Sequence, residues 1–364
     1  PWTHHIIVAK ACLKHGKFMA TTSYVSDDMR KLDDEVKARN LLFLNEIGVD
    51  PGIDHMSAMK IIDEVHARGG KIRHFYSICG GLPAPDDNDN PFGYKFSWSP
   101  KGVVLASRNA ARFLENGEEI NIPGEDLFLN YRVETVEELG KFEVYPNRDS
   151  MPYKEIYGLN DALTVMRGTY RNVGWCDTLK KFVDLGLVDE TPVDGLKGAT
   201  YRQMMADIAG VGTGDDVMAA IARKTGLETD HFVIKNLEWL GLFSEDAVPD
   251  MDNRLDILSE KLLEKLAYKD GEKDMLILKH TFVIENADKS EETVTSTMID
   301  YGIPHGDSSM ARTVSLPLGI GIKLMAEGKI DLTGVQIPIK KEIYEPVLSG
   351  LEELDIKMVE KTIS

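Results

Sequence analysis

Tyr24, Asp50, Cys79 and several histidines are the side chains whose types suit proton transfer in this chain. Asp50 lies in VDPG, a sharp turn after the apolar run LLFLNEIG. Cys79 opens CGGLPAP, and Tyr24 follows the hydroxyl-rich segment KFMATTS. Arg148 in YPNRDS and Arg171 in RGTYRN stand near turns of an otherwise acidic chain, and arginine suits two-pronged recognition of carboxylates. Together these groups describe a site that binds a small anion and moves a proton. Each has a plainer reading. DPG is a common tight turn, a cysteine without an evident histidine partner reads as a structural thiol, and most such arginines are surface ion pairs. Placement raises the functional reading, because VDPG and CGGLPAP end successive strands, where open α/β sheets build their sites. His4, His5 and His55 read as capping or core residues. With no HExxH and no second spaced carboxylate, no metal site is expected.

The elements that must position these residues follow from periodicity. A short helix over 3–15, with Thr3 as N-cap, leads to a strand over 17–23. A polar amphipathic helix over 26–39 has acidic residues in its first turn, where the helix dipole favours them. The nearly all-apolar 41–46 reads as a buried parallel strand. A helix capped by Asp54 follows the DPG turn, and a strand over 71–77 runs into Cys79-Gly80-Gly81. This alternation is part of a doubly wound α/β domain. Next comes a helix from Ser99 or Pro100 to about Glu115, then short strands over 119–171. Residues 174–268 read as helix after helix at the 3.6 period. A β-hairpin through NADKSE, a long helix and a last helix and strand complete the chain, so the helical block reads as an insertion into a mixed-sheet domain.

The 364 residues suffice for two or three domains. A formal charge of −18 argues against a nucleic-acid or anionic-membrane surface, since both need clustered Lys and Arg. Three scattered cysteines with no CxxC pair suit a reducing compartment better than a disulfide framework. No apolar run of about 18 residues is present to span a bilayer.

Longer strings are more specific than any of these groups. TTSYVSDDMRKLDDEVKARNLLFLNEIGVDPGIDHM and YSICGGLPAPDDNDNPFGYKFSWSPKGVVLASRNAA resemble saccharopine reductases, the NADP-dependent, glutamate-forming saccharopine dehydrogenases. VYPNRDS, VMRGTYR, EWLGLF, EKDMLILKHTF and SSMARTVSLPLGIGIKLM are similar to further family segments in the same order.

The resemblance implies an α/β fold in three parts. A partial Rossmann-like domain takes residues 1–54 with about 335–364. A mixed α/β substrate-binding and dimerisation domain takes 55–173 and 269–334, and an all-helical domain takes 174–268. The family opens with a strand and a GxGxVA turn, whereas Pro1-Trp2-Thr3-His4-His5 is similar to a later loop. The expectation is therefore a chain that holds the nicotinamide end of the site without the dinucleotide anchor. By resemblance, Thr22, Ser23, Val49, Asp50, Pro51 and Ser99 meet NADP(H). Ser23, Tyr24, Asp50, Arg148, Thr169, Tyr170 and Arg171 hold the substrate, with Tyr170 replacing the family's more usual leucine. Tyr24, Asp50 and Cys79 are the candidates for proton transfer.

The implied reaction interconverts saccharopine with 2-aminoadipate 6-semialdehyde and L-glutamate in lysine metabolism. A homodimer without nucleic-acid or membrane partners is expected, in the cytoplasm, or in mitochondria as half of a bifunctional lysine-degrading protein. The competing readings are a carboxynorspermidine-type imine reductase, which should lack the second arginine, and a non-catalytic fragment.

Overall fold

The computed structural model describes residues 2–98, 100–106 and 108–363. The chain divides into two compact units. Unit 1 comprises Pro1–Cys79, Pro152–Val165 and Met275–Ser364; unit 2 comprises Gly80–Met151 and Met166–Asp274.

Unit 1 begins with α1 (His5–Lys14), β1 (Met19–Ala20), α2 (Asp27–Arg30), α3 (Asp33–Ala38), β2 (Leu42–Leu44) and α4 (Ile53–Ala67), and contributes the first part of β3 (Lys71–Pro83). β1 and β2 are parallel, with Met19 opposite Phe43. Ala9, Leu13, Met19, Met29, Val36, Leu41 and Phe43 form one buried cluster beneath them. Several local expectations need correction. Thr3 does not cap α1, because a tight turn over Trp2–His4 precedes it and the Thr3 hydroxyl meets the His4 ring. The single helix over 26–39 is two helices. Ser26 caps α2 by accepting the Met29 N–H. Asp33, at the start of α3, turns its carboxylate out to accept the Val335 N–H at 2.8 Å. Asp54 lies inside the first turn of α4, which Gly52 precedes, and its carboxylate accepts the Gly52 N–H at 2.6 Å.

β3 does not stop at Cys79-Gly80-Gly81; it runs on to Pro83. Within unit 2, Gly80 allows close approach of backbone, since a Cβ there would lie 2.6 Å from the Tyr170 Cβ and 2.8 Å from the Tyr170 carbonyl oxygen. Gly80 thus serves strand packing, not a turn.

Unit 2 continues with α5 (Pro100–Ala106), β4 (Ala111–Glu115), β5 (Glu118–Ile122), β6 (Arg132–Val136) and β7 (Gly140–Pro146). The expected helix to Glu115 therefore ends early. Asn116-Gly117, both at positive φ, turns β4 directly into antiparallel β5, a two-residue hairpin signal outweighed by the helical pattern before it. α6 (Pro152–Ile156) belongs to unit 1. β8 (Thr164–Asn172) enters unit 2 at Met166 and pairs antiparallel with β7, which pairs with β6. The helical block follows as α7 (Trp175–Asp184), α8 (Tyr201–Ala209), α9 (Val217–Thr225), α10 (Phe232–Leu240) and α11 (Arg254–Lys265). Thr200 and Gln203 form a reciprocal capping box at α8.

β9 (Asp274–Glu285) re-enters unit 1 at Met275, and the chain closes there with β10 (Glu291–Tyr301), α12 (Ser309–Ala326), β11 (Gly334–Gln336), α13 (Lys341–Glu352) and β12 (Val359–Ile363). β9 and β10 form the expected hairpin. β11 pairs in parallel with β2, giving the order β1–β2–β11. β12 does not join that sheet as expected. It pairs antiparallel with β10, Thr293 opposite Ile363, because the edge of β10 offers it a full row of backbone partners.

Candidate active site

In unit 1 the segments leaving β1 and β2 lie side by side, as parallel pairing of the two strands requires. The Thr21 N–H donates to the Leu44 carbonyl, the Ile47 N–H to the Thr21 carbonyl and the Glu46 N–H to the Ser23 carbonyl. This ladder brings Thr22, Ser23 and Tyr24 beside Val49, Asp50 and Pro51. The Tyr24 hydroxyl donates to Asp50 Oδ1 at 3.1 Å. Tyr24 is exposed and Asp50 half-buried, while Val49 and Pro51 are buried. The Thr22 and Ser23 hydroxyls make no hydrogen bond among the described residues, so both remain available to a bound group.

The Asp50-Pro51-Gly52 turn is tightly closed. Asp50-Pro51 is a cis peptide, the Gly48 N–H donates to the Pro51 carbonyl, and the Ile53 and Asp54 N–H groups donate back to Gly48 and Val49. Gly52 has φ 148°, and a Cβ there would sit 2.0 Å from the Gly48 oxygen. Only glycine fits.

Behind the turn lies a buried polar group that sequence reasoning did not assign to the site. Glu46 Oε1 accepts the Val25 N–H at 2.9 Å, and Glu46 Oε2 lies 2.8 Å from His55 Nε2. His55 Nδ1 lies 2.6 Å from the Tyr157 hydroxyl, and the ring stacks on Tyr153. Glu46 and His55 both lie in NEIGVDPGIDH, but their spacing matches no helical or strand period. The one available signal was a glutamate inside an apolar run. His55 is indeed a core histidine, paired with Glu46.

Unit 2 carries the arginines. Arg148 follows β7 in a left-handed conformation, φ 55°, with its carbonyl accepting the Arg112 N–H. It is exposed, and its guanidinium has no hydrogen bond or ion pair among the described residues. Arg171 contrasts with it. It is 5% exposed, with its guanidinium 5.0 Å from the Tyr94 ring centroid, 5.4 Å from Trp175 and 6.0 Å from Tyr145. Its Nη1 donates to the Tyr170 carbonyl at 2.8 Å. Burial pushes the Tyr145 phenol up to about 12 against the opposing charge of Arg171, and Thr169 hydrogen-bonds that phenol. Burial likewise raises Tyr94. Strand alternation places Thr169 and Arg171 on one face of β8 and Tyr170 on the other. The Tyr170 side chain is buried, with its hydroxyl 3.3 Å from Glu134 Oε2.

Thr22, Ser23, Tyr24, Val49, Asp50 and Pro51 are therefore gathered in unit 1. Thr169, Tyr170 and Arg171 are consecutive in unit 2, with Arg148 just past the end of the neighbouring strand. Cys79 is half-buried within β3 in unit 1, and Ser99 lies outside the described residues. Among the described residues no group of three or more His, Cys, Asp or Glu converges as a metal site, and no helix is long and apolar enough to cross a membrane.

Comparison with known proteins gives a consistent set of matches. The family described as saccharopine dehydrogenase C-terminal domain matches residues 48–356. The saccharopine dehydrogenase [NADP(+), L-glutamate-forming] of Schizosaccharomyces pombe is 40% identical, over 100% of this chain and 83% of that protein. The mitochondrial alpha-aminoadipic semialdehyde synthase of Bos taurus is 37% identical, over 97% of this chain and 39% of that protein. The solved apo structure of the L-Glu-forming saccharopine dehydrogenase of Saccharomyces cerevisiae superposes with a TM-score of 0.95 at 39% identity. That match covers 100% of this chain and 83% of that one.

Proposed function

The chain belongs to the saccharopine dehydrogenase family, and from that premise we propose that its Tyr24–Asp50 pair orients saccharopine for hydride transfer. The enzyme is an NADP-dependent oxidoreductase of lysine metabolism. It interconverts saccharopine with 2-aminoadipate 6-semialdehyde and L-glutamate. The observation that carries the residue assignment is the 3.1 Å Tyr24–Asp50 hydrogen bond at the carboxyl ends of two parallel strands.

NADP(H), when bound, accepts or delivers the hydride. The unengaged hydroxyls of Thr22 and Ser23 fit the edge of such a group, with Val49, Asp50 and Pro51 forming the adjacent wall. The substrate is a small molecule carrying several carboxylates. Arg148 meets one of them with an open guanidinium. Arg171 is already held by three rings and a carbonyl, so it offers at most one edge and acts chiefly by fixing the β8 backbone around Thr169 and Tyr170. Asp50 Oδ1, steadied by the Tyr24 hydroxyl, faces the role of taking the proton from the secondary amine. Cys79 is the alternative carrier of that proton. Orienting the amine supplies much of the rate, because hydride transfer depends more on register than on a strong base. We further propose a homodimer in the cytoplasm, the latter in keeping with three scattered cysteines.

The direct test is NADP-dependent oxidation of saccharopine by the purified chain, followed by NADPH formation. Activity with a carboxynorspermidine-type substrate and none with saccharopine would overturn the substrate. Asp50→Asn is expected to lower kcat by about a hundredfold and flatten its dependence on pH. A variant that kept both the rate and the pH profile would remove Asp50 as the acid–base group.

A further inference from the structure

We infer that Glu46 is a positioning residue for the reaction, a carboxylate clamp that sets Tyr24 against Asp50 without touching substrate. This rests on the assignment of the Tyr24–Asp50 pair made above. The geometry is specific. Glu46 is 4% exposed and in the left-handed conformation, φ 58°, an unfavourable state for a residue with a long side chain. That conformation sends its N–H to the Ser23 carbonyl and its Oε1 to the Val25 N–H, so Tyr24 is bracketed on both sides by one residue. The other oxygen, Oε2, meets His55 Nε2 on α4, the helix that begins directly after the Asp50-Pro51-Gly52 turn. A single side chain therefore ties the segment that carries Tyr24 to the helix that anchors the turn carrying Asp50.

The hydrogen-bond chain behind the clamp runs from Tyr157 through His55 and Glu46 to the Val25 amide. With His55 neutral, the Tyr157 hydroxyl donates to Nδ1, Nε2–H donates to Glu46 Oε2, and Oε1 accepts the Val25 amide. Every buried group is satisfied. Glutamine can keep this geometry: its carbonyl takes the Val25 amide and its amide donates to His55 Nε2, the ring shifting its proton to Nδ1 and Tyr157 accepting. Alanine removes both links, and aspartate is one methylene too short to make them together. The carboxylate's reach matters, and its charge does not.

The test compares Glu46→Ala and Glu46→Gln, each with Tyr24 present and in a Tyr24→Phe background. Hydrogen exchange at the Val25 amide is read alongside saccharopine kinetics. Glu46→Ala is expected to speed Val25 exchange by about tenfold or more, and Glu46→Gln to leave it near that of the parent. Glu46→Ala should lower kcat by about 10- to 100-fold with Tyr24 present, but by less than about threefold in the Tyr24→Phe background. Glu46→Gln should recover most of the rate. If Glu46→Ala does not fold, Glu46→Asp takes its place in the same comparison with the same expected direction. Unchanged Val25 exchange, equal losses in both backgrounds, or a glutamine variant as impaired as alanine would each overturn the inference. A parent chain inactive toward saccharopine would instead defeat the substrate reading, and the exchange result would still decide the clamp.

Discussion

Replacing Arg148 with alanine is expected to lower kcat/KM for saccharopine by about 10- to 100-fold, mostly through KM. The guanidinium is exposed and makes no ion pair or hydrogen bond among the described residues, so its removal disturbs nothing else and reads out as lost ligand contact. A charge-assisted contact to a carboxylate is worth roughly 1.5–3 kcal/mol. Part of that loss is screened at an open site, which sets the lower end of the range. The left-handed backbone at φ 55° and the Arg112 N–H bonded to its carbonyl hold the residue in place whatever its side chain, so the variant should fold as the parent does. Arg148→Lys should recover only part of the loss, since an ammonium cannot make the planar two-pronged contact. Steady-state kinetics at fixed salt would check this. An unchanged KM would place the carboxylate contact elsewhere.

Gly52→Ala should be the most damaging small substitution to the fold around the site, costing about 3–5 kcal/mol. Two penalties coincide. A β-carbon would lie 2.0 Å from the Gly48 oxygen, and φ 148° is a conformation that L-residues rarely adopt. The turn cannot yield without breaking the Gly48 to Pro51 and Ile53 to Gly48 hydrogen bonds that hold Asp50 in front of Tyr24. Chemical denaturation should therefore show a lower midpoint, and the residual folded protein should lose activity in excess of its lost population. A variant with parent stability would show that the turn is looser than its hydrogen bonds suggest.

How far the sequence could be read depended on whether a feature's cause was local. The helices from Trp175 to Lys265 declared themselves through their period. The hairpin of β9 and β10 was legible from its polar turn, and the sharp turn at Asp50-Pro51-Gly52 from its residue types. The failures had distant causes. Gly80 looked like part of a turn because the reason for glycine there, the close approach of Tyr170, lies 90 positions away. The break between α2 and α3 involves Asp33, recruited by Val335 across 302 positions. Tyr24 and Asp50 were singled out separately by chemistry, and their hydrogen bond follows from the register of β1 and β2. Arg171 was equally visible, but its burial among three aromatic rings was not, because those rings come from three separate segments.

The pairing of β12 with β10 bears on solubility as well as topology. β10 would otherwise end its sheet as a row of open amides and carbonyls from Thr293 to Thr297, a template on which other chains could build. β12 takes those bonds and presents its own exposed side chains to solvent, Glu360 and Lys361 among them. Glu360 also reaches Lys60 at 3.2 Å, pinning the strand to the helix that follows the Asp50-Pro51-Gly52 turn. The last strand acts as a selvedge, finishing the edge of the sheet so that it does not recruit its neighbours.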